Sequence, residues 1–122
     1  MLYAEGDLRL AKIGRADQDI FAGQIGFHAQ QAAEKAIKAV LLTYDLDFPL
    51  THDIDDLLTI ARKSGLSVSM QIRQAGSLTP YAVEGRYPSK PGMSESDVPS
   101  AMRLAEQVVK WAKQMRKKRL RK

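Results

Sequence analysis

Ile25-Gly26-Phe27-His28-Ala29-Gln30-Gln31-Ala32-Ala33-Glu34-Lys35-Ala36-Ile37-Lys38-Ala39-Val40-Leu41 is the run whose reading decides the fold. Its apolar positions Ile25, Ala29, Ala32, Ala33, Ala36, Ile37, Val40 and Leu41 cover more than half of a helical circumference. A helix apolar over so much of its surface is central and mostly buried. The alanines combine high helix propensity with small volume, so neighbouring helices can approach closely. The spacing predicts this helix from about Asp19, a good N-cap, to Leu42.

Upstream, Leu8, Ala11, Ile13 and Ala16 repeat with helical spacing and predict a first helix from about Ala4 to Ala16, broken by Asp17 to Asp19. Downstream, Tyr44 to Leu50 is a connector, and Thr51 to Asp53 offers capping side chains to a helix bearing Ile54, Leu57, Leu58 and Ala61 that Gly65 stops. Asp53, Asp55 and Asp56 fall in its first turn, where carboxylates oppose the positive end of the macrodipole, a structural role that outweighs metal binding. A fourth helix is expected from about Ser67 through Val68, Ile72 and Ala75 until Pro80 removes a backbone donor, with a short resumption over Tyr81 to Arg86. Tyr87 to Pro99 reads as the one long loop. Ser96 then caps a last helix, with Pro99 in its first turn and Ala101, Leu104, Ala105, Val108, Ala112 and Met115 as its apolar stripe. Short connections between such helices give an all-α, up-and-down bundle of four to five helices, one domain over residues 1–122.

Composition narrows the function. The chain has no cysteine, which excludes a disulfide framework, a thiolate nucleophile, an Fe–S cluster and a Cys-based zinc site. No run is apolar enough to span a membrane, and Glu5 and Asp7 stand where a signal peptide needs an apolar core, so a soluble, cytoplasmic protein is expected. Six of the 19 basic residues lie in the tail Arg116 to Lys122, and the 13 that remain nearly balance the 14 acids. The positive charge therefore belongs to the tail rather than to the body of the domain, and it reads either as a helix end opposing the macrodipole or as an electrostatic arm.

The familiar catalytic signatures are missing. His28 and His52 lie on different segments without metal-ligand spacing, so no metal site and no cofactor are expected. Neither GxxxxGK[ST] nor GxGxxG occurs, and a helical bundle has no strand from which to present a nucleophile elbow. What remains is a polar line on the central helix, where His28, Gln31, Lys35 and Lys38 step by three, four and three. It is either that helix's solvent edge or the floor of a site, since an imidazole, an amide and two ammonium groups suit base and phosphate recognition. Glu34 beside it, on a buried helix, needs a partner, most naturally a basic one. Trp111 reads as a core or dimer anchor.

The run Phe27 to Ala39, followed by Pro49-Leu50-Thr51-His52-Asp53-Ile54, Leu57-Leu58, Tyr81 and Glu84-Gly85-Arg86-Tyr87-Pro88, resembles the HEPN family, the higher eukaryote and prokaryote nucleotide-binding domains. The resemblance implies an all-helical bundle that commonly forms a homodimer. Many HEPN proteins are metal-independent endoribonucleases of toxin-antitoxin and defence systems that use an Arg and a His separated by four to six intervening residues on a late helix. This chain departs from that pattern. Positions 21 to 23 before His28 read Phe-Ala-Gly, positions 45 to 47 before His52 read Asp-Leu-Asp, and no His follows Arg73 or Arg86.

Without that pair the resemblance implies a non-catalytic module that pairs with a minimal nucleotidyltransferase and binds nucleotide, with no catalytic residue assigned. His28, Gln31, Lys35 and Arg86 are the expected nucleotide contacts, and Lys38, His52 and Tyr87 the further ones. Two of them have a structural alternative of their own: His52 closing the start of the third helix, and Arg86 pairing with a carboxylate such as Glu34 or Glu84. The competing function is an RNA-cleaving toxin with an atypical site built from His28, Arg86 and the dimer partner.

Overall fold

The computed structural model describes residues 1–17, 20, 22–81 and 95–120. Its elements are α1 (Leu2–Ala16), α2 (Ala22–Thr43), α3 (Ile54–Lys63), α4 (Met70–Arg73) running into a 3-10 turn over Gln74–Leu78, and a 3-10 turn over Glu95–Asp97 that leads into α5 (Val98–Leu120). No strand occurs among the described residues. The all-α bundle expected from the periodicity is the architecture found.

The central run of the sequence is the axis of the molecule. α2 packs along both α1 and α5 and touches α3. Ala29, Ala32, Ala33, Ala36, Ile37, Val40 and Leu41 are all fully buried, and each large aliphatic among them contributes about 1.5–3 kcal/mol. Asp19, the expected N-cap of α2, lies outside the described residues, as do the Tyr81 to Arg86 resumption beyond Tyr81 and most of the long loop.

α2 and α3 end in the same way. After α2, the Leu46 N–H donates to Leu41 O at 2.9 Å and the Asp45 N–H to Leu42 O at 3.1 Å; after α3, Leu66 donates to Ala61 O at 3.1 Å and Gly65 to Arg62 O at 3.0 Å. Both are Schellman caps whose turning residue is left-handed. At α3 that residue is Gly65, with φ +92°, and at α2 it is Asp45, with φ +57°.

The start of α3 is fastened by Asp53, whose side chain accepts from the Asp55 and Asp56 amides, while Thr51 Oγ1 accepts from the Asp53 amide. Thr79 Oγ1 accepts from the Ile54 amide at 3.1 Å and so ties the end of the α4 segment to the same cap. α4 is shorter than its spacing predicts. It starts at Met70, capped by Ser69, and tightens to 3-10 geometry at Gln74. Ser67 stays outside the helix, and its carbonyl accepts from Trp111 Nε1 at 3.0 Å. Gly76 lies so close to α3 that a Cβ there would overlap the Asp55 carboxylate. Trp111 is a core residue, Pro99 sits in the first turn of α5, and Ser96, the expected cap, lies within the 3-10 turn that precedes it, two residues before Val98.

The basic C-terminal run continues α5 as helix to Leu120. Arg116 Nε donates to Thr43 Oγ1 at 3.1 Å, and Arg119 stands 3.5 Å from Asp45 Oδ2 with its guanidinium 5.4 Å from the Tyr44 ring centroid. Two of the tail's cations are therefore turned back onto the bundle.

Candidate functional site: a paired-carboxylate face on the central helix

The polar line of α2 meets two carboxylates. Asp7 of α1 is buried, although it falls on the line Ala4, Asp7, Ala11, Gly14 that α1 turns inward. Its Oδ1 lies 3.0 Å from His28 Nδ1 and its Oδ2 lies 2.5 Å from Lys35 Nζ. Glu34, 3% exposed, accepts from Gln30 Nε2 at 2.9 Å and from His52 Nδ1 at 2.9 Å through Oε1, and from Lys38 Nζ at 3.0 Å through Oε2. Buried carboxylates require such partners, and here each has an ammonium and an imidazole.

The amides complete the network. Gln30, fully buried, also donates to the His52 carbonyl at 3.3 Å, and its Oε1 accepts from Gln31 Nε2 at 2.7 Å. Among the described residues no buried side-chain nitrogen or oxygen lacks a hydrogen-bond partner. Burial pushes the Glu34 carboxyl upward, but the hydrogen bonds from Gln30, His52 and Lys38 and the charge of Lys38 outweigh it and hold the group below the usual carboxylate range.

The expected nucleotide contacts thus have specific places. His28 and Lys35 converge on Asp7, Lys38 and His52 converge on Glu34, and Gln31 hangs on Gln30. Arg86 and Tyr87 lie outside the described residues. His52 does not close α3, because Asp53 holds that position; its ring supports Glu34 instead. Glu34 has the basic partner its burial demands, in Lys38.

Each lysine also faces an aromatic ring. Lys35 Nζ is 5.9 Å from the Tyr3 ring centroid and Lys38 Nζ is 5.9 Å from that of Phe48. Between the start of α1 and the last third of α2 lies an open groove of about 310 Å³ lined by Met1, Tyr3, Ala4, Lys35, Lys38, Ala39 and Leu42. With neutral imidazoles, the two carboxylates and two ammonium groups sum to zero. The groove can offer an aromatic face and lysine N–H donors, but little net attraction for a polyphosphate.

Asp7 and Tyr3 escape a reading of the sequence that looks for polar residues on α2. The signal for Asp7 is an acid placed on the apolar line of α1, which demands a cationic neighbour. Among the described residues no group of His, Asp or Glu has the makings of a metal site, and no helix is long and apolar enough to cross a membrane.

Neither the curated proteins nor the solved structures gave a match to this chain. The model of the HEPN domain matches residues 3–115, from the first turn of α1 to the buried Met115 of α5, and so takes in the whole bundle and its paired-carboxylate face. The chain belongs to the HEPN domain family.

Proposed function

We propose that this HEPN domain is a non-catalytic interaction module that forms a homodimer, pairs with a minimal nucleotidyltransferase in the cytoplasm and holds nucleotide weakly. The observation that carries this reading is the outer face of α1. Leu2, Tyr3, Leu10 and Ile13 are between 51% and 82% exposed there. With Gly6, these positions fall within an arc of about 100° on the helix. A contiguous run of large apolar side chains on one helix face costs free energy in water and marks a surface that another chain covers. Gly6 adds support: a Cβ there would meet nothing within 4 Å, so the fold of one chain does not need glycine, while a partner helix crossing at that point would.

The Tyr3 groove adjoins this face and supports the nucleotide part. Tyr3 supplies a ring on which a base can stack, with Lys35 Nζ over one face of that ring and Lys38 lining the same groove. Isothermal titration with ATP tests this: weak binding is expected, and Tyr3→Ala should weaken it about tenfold, within the worth of one base-aromatic stack. Equal affinity in the variant would remove the groove from the site. The pairing is tested by mixing the purified chain with a minimal nucleotidyltransferase from the same source. A stable mixed complex is expected, and separate elution would refute it.

One observation favours the competing reading of an RNA-cleaving toxin. Asp7 accepts from His28 Nδ1 and leaves Nε2 of a ring about one-third exposed free to take a proton, the geometry of an oriented general base. Incubation with RNA separates the two readings: intact RNA is expected, whereas cleavage lost in His28→Ala would establish the toxin reading.

A further inference from the structure

We propose that the outer stripe of α5 is a binding surface for the phosphodiester backbone of nucleic acid, separate from the Tyr3 groove and from the α1 face. Arg103, Gln107, Lys110, Gln114 and Lys117 step by four, three, four and three along α5, which aligns them on one side of the helix, and Lys118 flanks the line. Arg103, Lys110, Lys117 and Lys118 are all exposed. The described structure gives none of these four side chains a hydrogen bond, ion pair or ring contact.

Their freedom contrasts with the neighbouring cations of the same helix. Lys113 is drawn to Glu5 at 3.2 Å, Arg116 to Thr43, and Arg119 to Asp45 and Tyr44. Glu106, the acid beside the stripe, is taken by Lys12 at 3.7 Å. The helix therefore sorts its basic residues into those that fasten the bundle and those that do not. The second set collects on one line with glutamines between the charges and no acid or apolar side chain among them.

The spacing and chemistry point to phosphates rather than to a protein. Arg103, Lys110 and Lys117 are seven residues apart, about 10 Å, so the stripe presents cations over roughly 21 Å. A protein interface needs an apolar centre and is depleted in lysine, and this stripe has no such centre. A phosphodiester backbone needs only spaced cations, and the gain comes from counterions released as its charges are neutralised. With no aromatic ring on the stripe there is no base stacking, so binding is independent of sequence and does not distinguish ribose from deoxyribose. Outside these four residues the chain has 15 basic against 14 acidic groups, so the stripe carries four of its five net positive charges.

The test is fluorescence anisotropy of the full chain with a labelled single-stranded RNA, a single-stranded DNA of equal length and a DNA duplex, over a series of salt concentrations. For single strands the log–log salt slope should be about −3 for four neutralised phosphates, with RNA and DNA within about twofold of one another; for the duplex it should be near −3.6. Lys110→Gln/Lys117→Gln should reduce the single-strand slope by about 1.4, and Arg103→Gln/Lys110→Gln/Lys117→Gln/Lys118→Gln should remove most of it. Glutamine forms helix well, so the helical circular dichroism should be unchanged in both. Arg9→Gln/Arg15→Gln/Arg62→Gln/Lys63→Gln, which removes the same charge from exposed positions elsewhere, should retain the slope. An undiminished slope in the α5 variant, an equal loss in the control variant, or binding of polyglutamate as tight as that of the single strands would overturn the proposal. The last result would instead make the stripe a dock for an acidic protein.

Discussion

Lys35 Nζ rests 2.5 Å from Asp7 Oδ2, and through this contact α1 and α2 are joined by an ion pair as well as by their alanines. His28 holds the other oxygen of the same carboxylate. The pair sits at the boundary between core and water: Asp7 is buried, while the lysine and histidine side chains are 38% and 34% exposed. Breaking it therefore strands no buried cation.

Asp7→Asn should destabilise the fold by about 1–2 kcal/mol. Two charge-assisted hydrogen bonds are weakened, but both partners can turn to solvent, which screens the loss. Urea unfolding checks this. A change within experimental error would mean that α1 docks through its apolar contacts alone.

Glu34 makes stability depend on acid. Its folded-state pKa lies below its unfolded value, so its contribution is complete above the ordinary carboxylate range and disappears as the pH falls through that range toward the folded value. Denaturation midpoints should fall on that acid limb and stay level above it. Glu34→Gln, which cannot bind extra protons there, should flatten the limb while lowering stability at neutral pH, because Lys38 and His52 lose their anion. An acid limb as steep in Glu34→Gln as in the parent would place the titration elsewhere.

Asp45→Gly should stabilise the chain by about 0.5–1 kcal/mol. Asp45 has a φ of +57° in a cap whose hydrogen bonds match those around Gly65, and a glycine relieves the strain of a Cβ in the left-handed region. The Arg119 contact it forfeits, 3.5 Å long and on an 86% exposed carboxylate, is worth little. A lower melting temperature for the variant would show that the Arg119 contact outweighs the backbone strain.

The helices were legible because burial leaves a period in the sequence. The α2 stripe, the α3 start at Asp53 and its stop at Gly65, and the apolar line of α5 with Trp111 in the core are direct consequences of local chemistry. The extent of α4 was not legible, since Trp111 takes the Ser67 carbonyl before its start and Gly76 comes against Asp55 just beyond its end. The polar line of α2 was legible as a line and no further. Whether it is a wet edge or a site depends on which acids α1 brings to it, and the pairing of His28 and Lys35 on Asp7 joins residues 21 and 28 positions apart. For the same reason, His52 as support for Glu34 and Tyr3 as a neighbour of Lys35 are visible only once the helices are packed.

The claim that this domain works through an exposed apolar face is tested most directly by light scattering of the purified chain beside Leu10→Glu/Ile13→Glu. Both side chains stand on the outer face of α1, 51% and 66% exposed, so the substitutions leave the core of the single chain intact. The account predicts that the parent has twice the mass of the 13.6 kDa chain at tens of micromolar and that the variant has the mass of one chain with unchanged helical circular dichroism. A parent that is monomeric at that concentration, or a variant that remains a dimer, would contradict it.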